Sequence, residues 1–492
     1  MFREKYMTRK ILINAVDSEE CRIVRVNDSK LEEFHLETTS KESIQGNIYK
    51  GIVIRIEPSL QAVFVDFGGN RHGFLQMQEV HSDYYQDTPT GDRDLCKMIK
   101  RGQELIVQVS KDPIMHKGAM LTTFISLPGR YIVLMPGSNK KGVSRQIEDE
   151  NERLRLKEIV GKLKLPEGYG LIVRTAGEGA TKALVSKDMS YLMRLWKNVN
   201  KNAVKADAPS EIYKEKNLSV RSIRDYLTPD VTEILIDDVE IFNEVKAFVK
   251  LISPKQAKLV KQHKDDKPIF SKFQLERQIA SIFESRVTLP SGGSIVIDQT
   301  EALVAIDVNS GRATKSKNIE GTAYQTNIEA AEEVARQLRL RDLGGLIVID
   351  FIDMKDTKNK MAVETAMKTH FKEDKARTKI QRLSQFGLME MSRQRIRPSI
   401  EFGSFVSCKH CKGKGHILST ESLAIAFLRK LSLEVLKEGI SSAKGYVPPD
   451  VAGYVLNRKK SELLSIEDKY GISLIIEANP NMLPGENRII CE

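Results

Sequence analysis

The spacing of apolar and polar positions changes character several times along the chain. Over residues 8–38 the runs ILINAV and CRIVRV, then KLEEFHLE after the turn-forming Asn27-Asp28, predict a small sheet or sheet edge. From Asn47, NIYKGIVIRIEPSLQAVFVDFGGNRHGFLQ gives three β-rich runs broken by Pro58-Ser59 and Gly68-Gly69, and QELIVQVS and AMLTTFISL add two more. Five short strands joined by glycine and polar turns predict a small barrel. Between Gly129 and Ser219 the pattern is mixed, with YIVLMP and YGLIVRTAG as strands and NERLRLKEIVGKL and SYLMRLWKNVNK as amphipathic helices. Residues 220–290 hold the strand TEILID and lysine-rich helices, on which Lys246, Lys250, Lys255, Lys258 and Lys261 are expected to form a solvated helical face.

EALVAIDVNSG and GGLIVIDFIDM are continuous apolar runs of strand length, each ending in a carboxylate. Such runs predict strands buried in a sheet that is covered on both faces. A helix is expected between them, starting at Thr326 and Glu329, a capping-box spacing, and carrying Arg339 and Arg341 in its last turn. Strand, helix, strand makes the two strands parallel neighbours, with Asp307 and Asp350 at one edge of the sheet. Asn309 points to the same side as Asp307. Either aspartate alone reads better as a helix cap. Together they match Mg²⁺, which binds through one or two carboxylates and keeps several waters. Asp353 and Asp356 are outer candidates, and His370 is not expected to be a ligand.

The 492 residues carry 77 Lys or Arg against 66 Asp or Glu, a net charge of +11, which excludes a single small domain and suggests three or four units. No run of 18 apolar residues exists, so no transmembrane segment is expected and the protein is read as cytoplasmic. The charge is clustered, with fifteen Lys or Arg and six Asp or Glu from Lys355 to Lys414. Clustering makes nucleic acid the leading partner, with a basic helix face in plain solvent as the alternative. Arg312, Lys315, Lys355 and Arg377 could hold a phosphate backbone beside the carboxylates. In the barrel, Phe64, Phe67 and Phe74 lie near Arg71, His72, Lys111 and Lys117, a mixture suited to stacking single-stranded bases. Core packing would explain any one of these phenylalanines equally well. In RTAGEG, Arg174, Thr175 and the following glycines suit a phosphate, though an ordinary glycine turn fits too.

Of five cysteines, Cys408 and Cys411 alone are spaced as a pair, in CKHCKGKG. Tetrahedral Zn²⁺ takes four ligands and the chain offers no second CxxC. The pair is therefore a redox or incidental pair, or half of a site completed by a second subunit, with His410 or His416 as a third option. Basic, glycine-rich flanks and no thioredoxin-like context favour the metal.

The assembled motifs resemble the RNase E/G family of bacterial endoribonucleases from about Arg9 onward. AIDVNSGRAT, TNIEAAEEVARQLRLRDLGGLIVIDFIDM, FGLMEMSRQRIRPS, NIYKGIVIRIEPSL and RTAG carry the resemblance. It implies a multidomain α/β (α+β) architecture. The parts are an RNase H-like subdomain from residues 1–40 and 219–283, an OB-fold RNA-binding domain at 41–123, a 5′ sensor domain at 124–218, a DNase I-like catalytic domain at 284–404, a zinc link at 405–416 and a small C-terminal domain at 417–492. It also implies catalytic Mg²⁺ held by Asp307 and Asp350, with Asn309 at the scissile phosphate. A 5′-monophosphate pocket would comprise Arg174, Thr175, Gly129, Val133, Arg145 and Arg377, and the RNA grip Phe64, Phe74, Lys111 and Lys117. Cys408 and Cys411 match an inter-subunit Zn²⁺ link, with CKHC in place of the usual CPxC, which makes a homodimer and allows a homotetramer.

The expected activity is cleavage of single-stranded, AU-rich RNA to 5′-phosphate and 3′-hydroxyl products, with no small-molecule substrate. The short stretch after the cysteine pair suggests the ribonuclease G-like form, whereas SGRAT after Asn309 looks closer to ribonuclease E. The family pattern starts near MTRKILINA, which makes Met7 an alternative start. A non-catalytic RNA-binding scaffold and a metal-dependent phosphomonoesterase are the competing classes.

Overall fold

The computed structural model describes residues 8–38, 43–85, 98–113, 117–311, 319–372, 374–395, 397, 399–400, 405–437 and 439–492. Met7, Arg312, Lys315 and most of SGRAT lie outside these residues. The chain divides into two compact units, Met1–Glu401 and Phe402–Glu492.

In the first unit, β1 (Arg9–Asn14), β2 (Glu20–Asn27) and β3 (Lys30–Thr38) form an antiparallel meander. Asp28 takes the left-handed conformation (φ 52°) that the tight β2–β3 turn requires. Two later strands, β14 (Val231–Ile236) and β15 (Val260–Gln262), extend this sheet in parallel from β1. Ile11, Ile13, Ile234 and Ile236 pack there under α3 (Leu218–Tyr226) and α4 (Val239–Ile252). The five lysines expected on one helical face do not share one. Lys246 and Lys250 are on α4, Lys255 and Lys258 in the 3-10 turn Pro254–Leu259, and Lys261 on β15. Pro254, which lacks an amide proton, ends the helix before the pattern is complete.

The barrel forms from β4 (Ile48–Glu57), β5 (Ala62–Asp66), β6 (Gly73–Gln76), β7 (Glu104–Lys111) and β8 (Met120–Thr122), in the order β4-β5-β6-β8-β7 and closed by β7 pairing back onto β4. Val53, Val63, Val65, Leu75, Val107 and Leu121 fill its interior. A further strand, β13 (Ser210–Tyr213), adds to β4 from outside. Next come β9 (Leu127–Pro128), β10 (Ile132–Pro136), β11 (Lys141–Val143) and β12 (Tyr169–Val173), packed with α1 (Glu150–Gly161) and α2 (Lys182–Lys205). The hydroxyl of Thr181 caps α2 by accepting from the amide of Leu184.

The last sheet of this unit runs β16 (Arg286–Thr288), β17 (Ser294–Gln299), β18 (Leu303–Asn309), β19 (Gly345–Asp350), β21 (Leu388–Arg393), β20 (Thr378–Leu383). Two helices, α5 (Ile319–Leu340) and α6 (Thr357–His370), cover one face. Ala323, Ala330, Ala331, Val334 and Leu338 of α5 recur at helical spacing and meet Val304, Ile306, Val308, Ile347 and Ile349. The alternate positions face the other way, where Leu346 is 49% exposed and Asp307, Asp350 and Glu390 are exposed. Among the described residues the sheet is therefore covered on one face, where the continuous apolar runs suggested two. Ala305 and Val348, which lengthen those runs, are half-buried on the open side.

The expected start of the intervening helix is also corrected. The chain is already helical at Ile319, Thr326 is fully buried in the helix interior, and the Glu329 carboxylate accepts from the amide of Ser291 (2.8 Å).

The second unit has β22 (Ser442–Val447) between a parallel β23 (Ser473–Ala478) and an antiparallel β24 (Arg488–Cys491), with α7 (Thr420–Glu434), α8 (Pro449–Arg458) and α9 (Lys460–Tyr470). Among the described residues no helix is long and apolar enough to cross a membrane.

Candidate active site and nucleic-acid interface

Parallel pairing of β18 with β19 sets Asp307 opposite Asp350 in register, so both side chains leave the same face of the sheet. That face is the open one. The side-chain Nδ2 of Asn309 donates to Asp307 Oδ2 (2.7 Å). Partial desolvation at the sheet surface, followed by the charges of Asp307 and Asp353, raises the Asp350 carboxyl above its ordinary value. A cation between the carboxylates would relieve that repulsion. Among the described residues no group of three or more His, Cys, Asp or Glu converges as a metal cage. Two adjacent carboxylates on an open face nevertheless suit Mg²⁺, which fills the remaining positions with water.

The chain beyond β19 is held from α5. Fully buried Asn327 donates to the carbonyl of Ile352 (2.8 Å) and accepts from its amide (3.0 Å). The Glu320 carboxylate accepts from the amides of Lys355 and Asp356 and from Asn359 Nδ2. Asp353 remains exposed beside the pair, whereas Asp356 caps α6 through the amide of Lys358 (2.8 Å). The two outer candidates thus separate, one near the site and one a helix cap. Gly387, in the β20–β21 turn, sits at φ 77° with its Cβ position 3.1 Å from Asp353 Oδ1, so a side chain there would be strained.

On the barrel, strand register lines up Arg55, Phe64, Phe74, Met120 and Lys111 across β4, β5, β6, β8 and β7. Phe64 and Phe74 meet edge to face at 5.7 Å, and the Arg55 guanidinium lies 4.5 Å from the Phe64 ring centre. Both phenylalanines are half-buried, and Lys111 and Lys117 are exposed. Phe67 is different. It is a core residue packed on Tyr49 at 5.0 Å, so it leaves the stacking set. Arg55 and Met120 escaped the sequence, because only the register reveals that they share the row.

Arg174 and Thr175 follow β12 directly. The Arg174 guanidinium donates to the carbonyl of Gly129 (2.6 Å) and to Asp225 Oδ1 (2.6 Å). Burial alone would raise the Asp225 carboxyl, but Arg224, Arg174 and Lys375 together hold it well below the usual carboxylate range. The Thr175 hydroxyl donates to Gln146 Oε1 (3.0 Å), whose amide in turn donates to the carbonyl of Lys375 (3.2 Å). That bridge brings the segment carrying exposed Arg377 to the end of the sheet where Arg145 is also exposed. Val133, on β10, pairs with Ile172 of β12. Gly129 has its Cβ position 2.5 Å from Asp188 Oδ2, because Asp188 accepts from the amides of Tyr131 and Ile132 directly below the turn. Neither Asp225 nor Gln146 carries a sequence signal, since both act across the fold.

The basic cluster is partly structural. Arg393 is buried in an ion pair with Asp374 (2.7 Å), Arg395 donates to the carbonyl of Gly344 (2.9 Å), and Arg397 donates to His35 Nδ1 (2.6 Å). Lys355, Arg377, Lys379 and Arg382 remain exposed.

In the second unit, Cys408 and Cys411 lie in a tight turn in which the amide of Lys412 donates to the carbonyl of Cys408 (2.8 Å). The amides of Gly415 and Gly413 lower the Cys411 thiol below its ordinary range. Such a turn presents two thiolate ligands, which is half of a tetrahedral site.

The sequence model of the "Ribonuclease E/G family" matches residues 126–396, "S1 RNA binding domain" matches 42–111, and "RNase E/G, Thioredoxin-like domain" matches 407–491. The last overturns the expectation of no thioredoxin-like context around the cysteines. Their turn nonetheless precedes α7 by several residues and does not form its N-terminus. The S1 match and the closed five-stranded barrel agree on an OB-fold domain.

Ribonuclease E of Haemophilus influenzae is 45% identical over 477 residues, covering 96% of this chain and 51% of that protein. Ribonuclease E of Escherichia coli K12 is 45% identical, covering 96% and 45%. Ribonuclease G of E. coli K12 is 35% identical, covering 96% and 98%. The chain thus spans about half the length of the ribonuclease E relatives it matches, and its identity to them exceeds that to ribonuclease G. With the family model covering more than half of the chain and ribonuclease G matched almost end to end, the chain belongs to the Ribonuclease E/G family.

Proposed function

We propose that the protein is a Mg²⁺-dependent endoribonuclease that cuts single-stranded, AU-rich RNA to 5′-phosphate and 3′-hydroxyl products. The observation that carries this reading is the in-register pair Asp307 and Asp350 on the open face of a sheet, in a chain that also holds an S1 barrel. Bound Mg²⁺ supplies an acidified water and positive charge against the phosphate. Asp307 and Asp350 hold the ion, and their register fixes the spacing of the two carboxylates. Asn309 orients Asp307 and, once released from it, has an amide donor for a phosphate oxygen. Phe64 and Phe74 stack bases while Arg55, Lys111 and Lys117 hold the backbone.

Arg174 and Thr175, with Gly129, Val133, Arg145 and Arg377 around them, receive a 5′-monophosphate, so RNA carrying that group is cut faster. Arg174 is suited to the task because Asp225 and the Gly129 carbonyl fix its guanidinium in one orientation. In this reading the sheet of β1–β3, β14 and β15 is the RNase H-like subdomain, the β9–β12 sheet the 5′ sensor, and the sheet carrying the aspartates the DNase I-like domain. Cys408 and Cys411 share Zn²⁺ with the same pair of a second subunit, which gives a homodimer and, on pairing of dimers, a tetramer. The role is processing of rRNA and tRNA precursors and decay of mRNA. Incubating a 5′-monophosphorylated single-stranded RNA with wild-type protein and with Asp350→Asn tests the activity. Mg²⁺-dependent internal cuts by the wild type alone are expected, and equal cutting by both would overturn the assignment.

A further inference from the structure

Phe386 is 83% exposed at the tip of the hairpin that joins β20 to β21. A single exposed phenylalanine is common on protein surfaces and by itself signals nothing. Its position and rigidity set it apart. Leu388, two residues on, is the register partner of Asp350. Two residues of chain and one strand spacing place the Cα atoms of Phe386 and Asp350 at most about 12 Å apart. The tip also runs beside the chain leaving the site, with the amide of Phe351 donating to the carbonyl of Gly387 (3.4 Å).

The turn is fixed from within. Ser384 accepts at its hydroxyl from the amides of Phe386 and Leu388 (both 3.2 Å), and its own amide donates to the carbonyl of Leu388 (2.8 Å). Gly387, at φ 77°, supplies the left-handed corner. The backbone beneath the ring is thereby ordered before any ligand arrives, which lowers the entropic cost of using it as a contact. The flanking charge suits an RNA strand, because Lys379 and Arg382 are exposed on β20. Register places Lys379 opposite Ser392, and Ser392 opposite Leu346, on the same open face as the two aspartates.

A rigid, outward aromatic with cations beside it is the combination that binds unpaired bases without reading their sequence, since every base has a π-face. We propose that Phe386 is a base-stacking subsite that holds a nucleobase of single-stranded RNA next to the phosphate at Asp307 and Asp350. It is separate from the barrel row, and it deepens the endoribonuclease reading on which it rests. By fixing one base beside the carboxylates, it sets which phosphodiester lies over them.

The test uses a 5′-monophosphorylated single-stranded RNA cut at one mapped position, together with copies in which one nucleotide near that position is abasic. Phe386→Ala should lower kcat/KM about tenfold, within the range of one lost stacking contact, while Phe386→Trp stays within about twofold of wild type. At one abasic position the wild type and Phe386→Ala should cut equally, which identifies the stacked base. Equal losses at every abasic position, unchanged cutting by Phe386→Ala, or rescue by Phe386→Leu as good as by Phe386→Trp would each overturn the proposal. An RNA carrying 2-aminopurine at the flanking positions, bound to Asp307→Asn protein, gives a readout that does not depend on cleavage. Fluorescence should be quenched at one position, and the quench lost on adding Phe386→Ala. Quenching with no cutting by the wild type would retain the subsite and reject the nuclease, and no quenching at any position would reject the subsite.

Discussion

Asp307 and Asp350 are cross-strand partners in a parallel pair, and both point away from the helices that cover their sheet. Two carboxylates side by side repel, and at Asp350 partial desolvation, with the charges of Asp307 and Asp353 adding to it, favours the protonated form. The helix face supplies stability, with Ile306 and Ile349 fully packed, and the open face supplies access.

On the barrel, Phe64→Ala and Phe74→Ala should each weaken binding of a single-stranded oligonucleotide by roughly 1–3 kcal/mol, the usual worth of one base–aromatic stack. Thermal stability should change little, since both rings lie outside the barrel core. Fluorescence anisotropy titrations would check this, with Phe67→Ala as the contrast. That variant should lose stability first, by about 3–5 kcal/mol, because it empties a core position.

At the proposed 5′ pocket, Arg174→Ala should abolish the preference for 5′-monophosphorylated over 5′-hydroxyl RNA while leaving the slower rate on 5′-hydroxyl RNA intact. Asp225→Asn should reduce that preference less, because Arg174 keeps its bond to the Gly129 carbonyl. Paired cleavage assays on the two RNAs decide the matter. Equal loss on both substrates would indicate damage to the fold and not to the pocket.

His35 gives a pH prediction. Burial, and then the charge of Arg397, lower its pKa to about 4 from an ordinary 6.5, and Arg397 donates to its Nδ1, which requires a neutral ring. Between those values the unfolded chain binds a proton that the folded one does not, so stability falls as pH is lowered from about 6.5 to 4. Denaturation midpoints across that window should decline in the wild type and less steeply in His35→Gln. Parallel slopes would show that other groups dominate.

For the cysteine turn, Cys408→Ser should reduce bound zinc and oligomer mass together, as measured by elemental analysis and light scattering. Unchanged mass without zinc would place the subunit contact elsewhere.

Much of this fold was legible in the sequence, and the gaps have physical causes. The β4–β8 strands, the Asn27-Asp28 turn and the strand–helix–strand around the aspartates follow from local periodicity and turn residues. The bare face of the last sheet did not, because exposed Leu346 and half-buried Ala305 and Val348 put apolar residues on the open side and make it look like a covered one. The addition of β14 and β15 to β1 depends on contacts between distant segments that no local pattern encodes. Within the candidate site, Asp307, Asn309 and Asp350 stood out by spacing, and the structure brings them together on one face. Arg55, Gln146 and Asp225 did not, since each acquires its partner only through tertiary register. Part of the basic cluster also proved to be internal pairing, as with Arg393 and Asp374.

The most direct test of the central claim is end-group analysis of a single-stranded RNA incubated with wild-type protein in Mg²⁺ or in EDTA, alongside Asp307→Asn in Mg²⁺. The account predicts internal cuts with 5′-phosphate and 3′-hydroxyl ends in wild type with Mg²⁺, and at least about 10³-fold less product in the other two reactions. Undiminished cutting in EDTA or by Asp307→Asn, or products ending in 3′-phosphate, would contradict it.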